Sequence, residues 1–316
     1  MSTYPELATE RYGAELAAAR RLAFRAGIIL LRMRDRIASD ASAVWAKDNA
    51  EPVTAADVAA NRYIVEALKA SFPEDGVVAE ESADISELER DRVWFVDPLD
   101  GTREYLDGRD DYAVMIGLAV AGSPVVGAVF QPQPGLLSWA MQRQGGIERY
   151  EVDASATEDA PLPAPLDTFP LQVSTVSQPE RMTLVVSRSH RSDAVSAIAQ
   201  RLGIESEVRR GSVGVKVTML ACRHADLYLH PSSGTRLWDT CAPHAILVAA
   251  GGMLTKLDGS PIVYGGLLEV NRADDIGSPM LRLHNRDGFA ATNGRAHDRV
   301  LQAARQVLEE RAARGR

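Results

Sequence analysis

The sequence predicts a chain in two parts, α+β in the first and α/β in the second, and three observations carry that reading. Helical periodicity dominates the stretch up to about Ala70. Apolar, strand-like runs then succeed one another between Tyr112 and Met141, as in an antiparallel sheet. Beyond Pro170 strand and helix patterns alternate, which is the rhythm of an α/β unit. A length of 316 residues is comfortable for two packed sub-domains. The expected division is 1–160 and 170–316. It falls in the stretch from Glu151 to Pro170, where Ala, Pro, Asp, Glu and Thr follow one another without period and read as a loop or linker.

Residues from about Glu10 to Arg36 form one amphipathic pattern rich in alanine, leucine and arginine. Pro52-Val53-Thr54 opens a second helix running to about Ala70. Gly76 to Ala79 and Val93 to Asp97 read as short strands, followed by Tyr112 to Val120, Pro124 to Gln131 and Leu136 to Met141. In the second part Met182 to Ser187 and Asp226 to His230 are strands. Asp193 to Leu202, Val213 to Cys222 and Trp238 to Ala250 are helices, the last stopped by Gly251-Gly252. A final helix starts near Arg295. There is no internal repeat.

Apolar residues make up 46% of the chain and charged residues 25%, the balance of a soluble globular protein. A net charge of −8 argues against a non-specific nucleic-acid binder, which needs a basic face. It leaves room for a phosphorylated small molecule, because bound cations reverse the local sign of a site. The two cysteines, Cys222 and Cys241, have no metal-ligand spacing and read as small hydrophobes in a reducing cytosol. No secretory pattern and no run of membrane-spanning length occurs, so the expected location is cytoplasmic and no membrane partner is expected.

The most informative segment is Asp97-Pro98-Leu99-Asp100-Gly101-Thr102. It closes an apolar strand, and Pro98 stops the ladder for want of an amide hydrogen. Two carboxylates on one loop repel each other unless a cation compensates, and hard oxygen ligands suit Mg²⁺. The amides of Gly101 and Thr102 can receive a phosphate oxygen if a helix starts there. Asp-Gly alone is a common turn pair; the six-residue string after a hydrophobic strand is more specific. Glu80-Glu81 reads as solvated surface or, with the aspartate pair about one strand away, as metal-ligating. Asp239, at a helix start, reads as an N-cap, and Asp57 completes a capping box begun by Thr54.

Taken in order, Glu80-Glu81-Ser82, Trp94 to Thr102 and Trp238-Asp239-Thr240-Cys241-Ala242 resemble the inositol monophosphatase superfamily, which includes fructose-1,6-bisphosphatase and the bisphosphate nucleotidases. The likeness runs from about Lys47 to Gly259. Thr54 to Asp57, Gly101-Thr102-Arg103-Glu104-Tyr105, Ser187 to His190 and Trp238 to Pro243 look most like the 3'(2'),5'-bisphosphate nucleotidases. Arg103 in place of a lysine, Ala79 in place of a glycine and His244 after Ala-Pro depart from that pattern without touching an acidic position.

The resemblance implies a layered αβαβα sandwich with the site in a cleft between the two halves. It implies two or three Mg²⁺ held by the side chains of Glu80, Asp97, Asp100 and Asp239 and the carbonyl of Leu99. Glu80 would also be catalytic, while Thr102 and Asp57 would orient and deprotonate the attacking water. Gly101, Thr102, Ser187, His190, Ser212, Lys216 and Asp239 would line the substrate, a small phosphorylated molecule of nucleoside bisphosphate type such as 3'-phosphoadenosine 5'-phosphate. Lithium sensitivity is implied as well, and relatives include monomers and homodimers. Two alternatives accompany this reading: a phosphatase of inositol phosphates or another sugar phosphate, and a non-catalytic phosphate-ligand sensor.

Overall fold

The computed structural model describes residues 11–39, 41–46, 52–157, 161–188, 192–265 and 279–314. Helix α1 (Gly13–Ser39) is followed by a two-stranded antiparallel ribbon of β1 (Val44–Ala46) and β2 (Pro52–Thr54). Next come α2 (Ala55–Ser71), β3 (Gly76–Ala79), β4 (Arg92–Asp100), the single turn α3 (Thr102–Leu106), β5 (Ala113–Val120), β6 (Ser123–Gln131), β7 (Leu136–Met141), β8 (Gln144–Arg149) and β9 (Asp167–Pro170). Strands β3 to β9 form one sheet in chain order, parallel between β3 and β4 and antiparallel elsewhere.

The remaining elements are β10 (Thr183–Ser187), α4 (Asp193–Leu202), β11 (Ser206–Arg210), α5 (Val213–Ala221), β12 (Leu227–His230), α6 (Leu237–Ala249), β13 (Met253–Lys256), β14 (Phe289–Thr292) and α7 (His297–Arg314). Their strands form a five-stranded sheet of order β11-β10-β12-β14-β13. It is parallel across β11, β10 and β12 and antiparallel at β14 and β13.

The layering follows from period-two burial. On β4, Trp94 and Val96 join the core under α1 and α2, whereas Val93 and Phe95 join the core shared with α5 and α6. On β10 and β12, Leu184, Val186, Leu227 and Leu229 pack beneath α4 and α7, while Val185 and Tyr228 turn toward α5 and α6. The order is therefore α1/α2, seven-stranded sheet, α5/α6, five-stranded sheet, α4/α7: the αβαβα sandwich the resemblance implied. Both sheets are covered by helices, and strands β4 to β7 and β10 read as largely apolar runs for that reason, whereas β8, β9 and β11 carry polar sequences.

The stretch expected to be a linker contains β9, whose partner is β8, a strand the sequence pattern did not suggest. Strands β11, β13 and β14 were likewise not anticipated. Each has only four or five residues, too few for alternation to register. Strand β4 runs three residues past the expected end at Asp97. Among the described residues no helix is long and apolar enough to cross a membrane.

Candidate active site

The ladder between β4 and β5 shifts register between Asp97 and Asp100, where Pro98 has no amide to donate. Alternation carries Asp97 to the side of the sheet that holds Val93 and Phe95, toward α5 and α6. Its Oδ1 accepts the Leu99 amide at 2.9 Å, an Asx turn that folds the strand end back on itself. Gly101 follows with φ 94°, the left-handed conformation that lets α3 start at Thr102.

Asp239 reaches this turn because α6 lies unusually close to the sheet. Gly117 on β5 and Gly127 on β6 are cross-strand partners. A Cβ on Gly117 would stand 2.7 Å from the Ala242 nitrogen, and one on Gly127 would strike the Ala242 carbonyl. The pair forms a slot for the helix one turn beyond Asp239. Asp239 is the third residue of α6 rather than its N-cap, and its Oδ2 accepts the Arg236 amide at 2.7 Å.

Helix α5 approaches from the other side. Its N-cap, Ser212, has φ 46°, a strained value for a residue with a side chain. The Ser212 hydroxyl accepts the Val215 amide at 3.0 Å and donates to Asp100 Oδ2 at 2.5 Å. The Gly214 amide reaches the same Asp100 oxygen at 2.8 Å. Lys216, buried on the next turn, donates to the Gly211 carbonyl at 3.1 Å and stands 5.1 Å from the centroid of the Tyr228 ring.

The capping-box reading of Asp57 holds: its Oδ2 accepts the Thr54 amide at 2.8 Å and the Thr54 hydroxyl at 2.6 Å. Its other oxygen, Oδ1, faces the Thr102 hydroxyl at 3.4 Å, and that hydroxyl also stands 3.2 Å from the Leu99 carbonyl. One carboxylate thus caps α2 and touches the turn after β4.

A cavity of about 540 Å³ opens between these elements. Glu80, Asp97, Leu99, Asp100 and Asp239 line it, as do Gly101, Thr102, Ser187, Ser212 and Lys216. The residues singled out in the sequence are therefore gathered in one place. Asp57 is joined to them through Thr102. His190 lies outside the described residues.

The electrostatics of the cavity are those of crowded, desolvated acids. Burial, then the charges of Glu80, Asp100 and Asp239, push the Asp97 carboxyl well above the usual carboxylate range. Burial followed by Asp100 and Glu80 does the same to Asp239. Asp100 is also raised by burial, against the opposing influence of Lys216 and the Ser212 and Gly214 hydrogen bonds. Asp57 is pushed up to about 7 by burial, with Glu81 and Glu80 adding to it and the Thr54 bonds resisting. Burial brings Lys216 down to about 8 despite the acids around it. Among the described residues no three acidic, histidine or cysteine side chains already form a closed metal-ligating cluster. The oxygen donors that could hold a divalent cation are the four cavity carboxylates and the Leu99 carbonyl, hard ligands of the kind Mg²⁺ takes.

The family model described as inositol monophosphatase family matches residues 14–309, nearly the whole chain. The chain belongs to the inositol monophosphatase family. That family is metal-dependent, typically on Mg²⁺. The chain is 36% identical over 244 residues to a 3'-phosphoadenosine 5'-phosphate phosphatase of Mycobacterium tuberculosis, covering 77% of this chain and 80% of the relative. It is 34% identical over 221 residues to the 3'(2'),5'-bisphosphate nucleotidase CysQ of Salmonella typhimurium, covering 69% and 81%. A Thermotoga maritima IMPase superposes with a TM-score of 0.69 at 21% identity, covering 94% of this chain and 99% of the other. The inositol monophosphatase of Anabaena gives 0.67 at 24%, covering 93% and 96%. These two structures establish the fold.

Within the family fold, sequence reasoning passed over Tyr228 and His230, which also line the cavity. Their signal was present: residues 228 and 230 share one face of β12. His230 stacks on Phe289 with ring centroids 5.7 Å apart and planes 16° from parallel, and its Nε2 lies 3.1 Å from the Ser232 hydroxyl. Arg236, which supplies the amide that Asp239 accepts, carries no local signal at all.

Proposed function

We propose that this chain is a Mg²⁺-dependent phosphatase that hydrolyses the 3'-phosphate of a nucleoside 3',5'-bisphosphate such as 3'-phosphoadenosine 5'-phosphate, in the cytoplasm. The observation that carries this reading is the gathering of Glu80, Asp97, Asp100 and Asp239 around one cavity with the Thr102–Asp57 pair at its edge. The names of the relatives at 34% and 36% identity support the substrate class.

The donor set fits the metal the family uses. The charges of Glu80, Asp100 and Asp239 help raise the Asp97 carboxyl, and those of Asp100 and Glu80 help raise Asp239, so a cation that relieves the repulsion stabilises the cluster. Glu80, Asp97, Asp100, Asp239 and the Leu99 carbonyl would hold two or three Mg²⁺. Bound there, the ions would supply Lewis acidity, lowering the pKa of a water and offsetting negative charge on the phosphate.

The chain's own residues supply positioning and proton transfer, which is most of what phosphoryl transfer requires of a protein. The Thr102 hydroxyl, held between the Leu99 carbonyl and Asp57 Oδ1, takes a proton from the attacking water as it passes its own to Asp57 Oδ1. Asp57 is suited to that task because burial brings it to about 7, close to working pH. Ser212 and Gly214 fix Asp100 through one oxygen, and Asp100 lines the cavity. Lys216 supplies positive charge to the cavity for the second phosphate of a bisphosphate, and Ser187 also lines it.

The test is a panel comparing 3'-phosphoadenosine 5'-phosphate with inositol 1-phosphate, with and without Mg²⁺. The expected result is a kcat/KM at least about tenfold higher for the bisphosphate, a difference of ~1.4 kcal/mol, and none in excess EDTA. Equal or better turnover of inositol 1-phosphate would transfer the protein to the sugar-phosphate phosphatases. Undiminished hydrolysis in EDTA would remove the metal from the mechanism.

A further inference from the structure

Asp111 lies between α3 and β5, outside the cavity lining and outside every role assigned above, yet three segments of the site meet on it. Its Oδ2 accepts the Gly211 amide at 2.6 Å. The same oxygen accepts Arg188 Nη2 at 2.8 Å and Nε at 3.3 Å. Burial pushes the carboxyl up, but the Gly211 amide and the guanidinium outweigh it and hold Asp111 below its ordinary value.

The backbone of Asp111 is equally constrained. Its carbonyl oxygen stands 3.2 Å from where a Cβ on Gly101 would lie and 2.7 Å from where one on Gly211 would lie. Glycine at both positions lets the chain at Asp111 pass between the turn after β4 and the turn into α5. Gly211 relays the constraint onward: its carbonyl receives Lys216 Nζ, and the next residue is the strained Ser212 whose hydroxyl holds Asp100. Arg188, for its part, directly follows the cavity residue Ser187.

We propose that Asp111 is a positioning residue for the acid cluster, clamping Gly211 and Arg188 so that Ser212 and Gly214 meet Asp100 where a divalent cation requires it. The inference rests on the metal-dependent reading above and adds a residue to it. Asp111 touches neither substrate nor metal. Without its carboxylate, the left-handed φ of Ser212 has lost its anchor, and relaxation of that strain draws both of Asp100's donors away. A carboxylate serving packing alone would change thermal stability and leave metal affinity untouched.

The experiment measures Mg²⁺ binding to the full chain by calorimetry without substrate, alongside Tm, for wild type, Asp111→Asn, Arg188→Gln and the double variant. Asp111→Asn is expected to weaken Mg²⁺ binding by roughly 10–100-fold, as disturbing the groups that hold a metal ligand in place does. Arg188→Gln is expected to lose ~3–10-fold, and the double variant to be no worse than Asp111→Asn, because the two residues act as one unit. An Asp111→Asn isotherm within about twofold of wild type, even with a lowered Tm, overturns the proposal. If Asp111→Asn does not fold, Arg188→Gln decides: its side chain is 33% exposed and its loss is tolerable to the fold. Unchanged Mg²⁺ affinity in that variant overturns the proposal and weakened affinity sustains it. A wild-type protein that binds no Mg²⁺ overturns the parent reading as well, an outcome distinct from a wild-type isotherm that Asp111→Asn leaves alone.

Discussion

Replacing Gly117 by alanine adds one methyl group at the point where α6 comes nearest to the seven-stranded sheet. The new carbon would stand 2.7 Å from the Ala242 nitrogen, 2.8 Å from Cys241 Sγ and 3.0 Å from the Ala242 Cα. Ordinary contact begins at 3.4 Å, so the helix must retreat by about 0.7 Å or the strand must bend by as much. Two of the three neighbouring atoms are backbone, so no side-chain rotation relieves the clash. Overpacking of this kind costs ~1–3 kcal/mol, which lowers Tm by a few degrees in a chain of this length. The larger effect is on activity. Asp239 lies one helical turn before Ala242, and a shift near 1 Å in a positioned catalytic group costs up to ~100-fold in rate. The assay is kcat/KM with saturating Mg²⁺ and thermal unfolding, compared with Gly13→Ala, whose added methyl meets nothing within 4 Å. A Gly117→Ala enzyme that matches Gly13→Ala in both measurements would show that the glycine slot does not set the position of Asp239.

Asp97→Asn removes one of the charges that anchor the proposed metal site and should leave less than a tenth of wild-type kcat/KM, a loss of at least ~1.4 kcal/mol measured by steady-state kinetics. Metal-free protein should lose stability as pH rises from about 4 to about 7. Asp57, at about 7 when folded against 3.8 otherwise, keeps a proton in the folded state that the unfolded chain has released. Its stabilising contribution is complete below 3.8 and lost through about 7, and the raised Asp97 and Asp239 act with the same sign. Melting curves in EDTA should show this fall, Asp57→Asn should flatten it, and excess Mg²⁺ should abolish it; a Tm that climbs across the window contradicts the charge assignment. Lys216→Met keeps the buried stem and deletes the cation, so KM for a nucleoside bisphosphate should rise ~10-fold or more while KM for a monophosphate moves little, a charge-assisted contact being worth about 1.5–3 kcal/mol.

Local pattern in the sequence was enough to locate α1, α2, α6, the strands β3 to β7 and β10, and to single out the acids, because each announces itself within a few residues. The Thr54–Asp57 box needs only a spacing of three, and the Asp97 turn needs only a proline after an apolar strand. Strands β9, β11, β13 and β14 were not legible, since strands of only four or five residues take their conformation from the neighbours they pair with rather than from their own alternation. The approach of Asp239 to Asp97 was not legible either. It depends on two glycines on adjacent strands presenting a slot to a helix far along the chain, and nothing near Asp239 encodes that slot. Asp111 was hidden for the same reason. By itself it is one acid in an Arg-Asp-Asp loop, and only the packed structure sets its carboxylate between Gly211 and Arg188. The sequence determined which groups carry the chemistry and the local turns that present them. Tertiary packing decided their distances from one another, because those distances are set by how closely backbones from separate layers can approach.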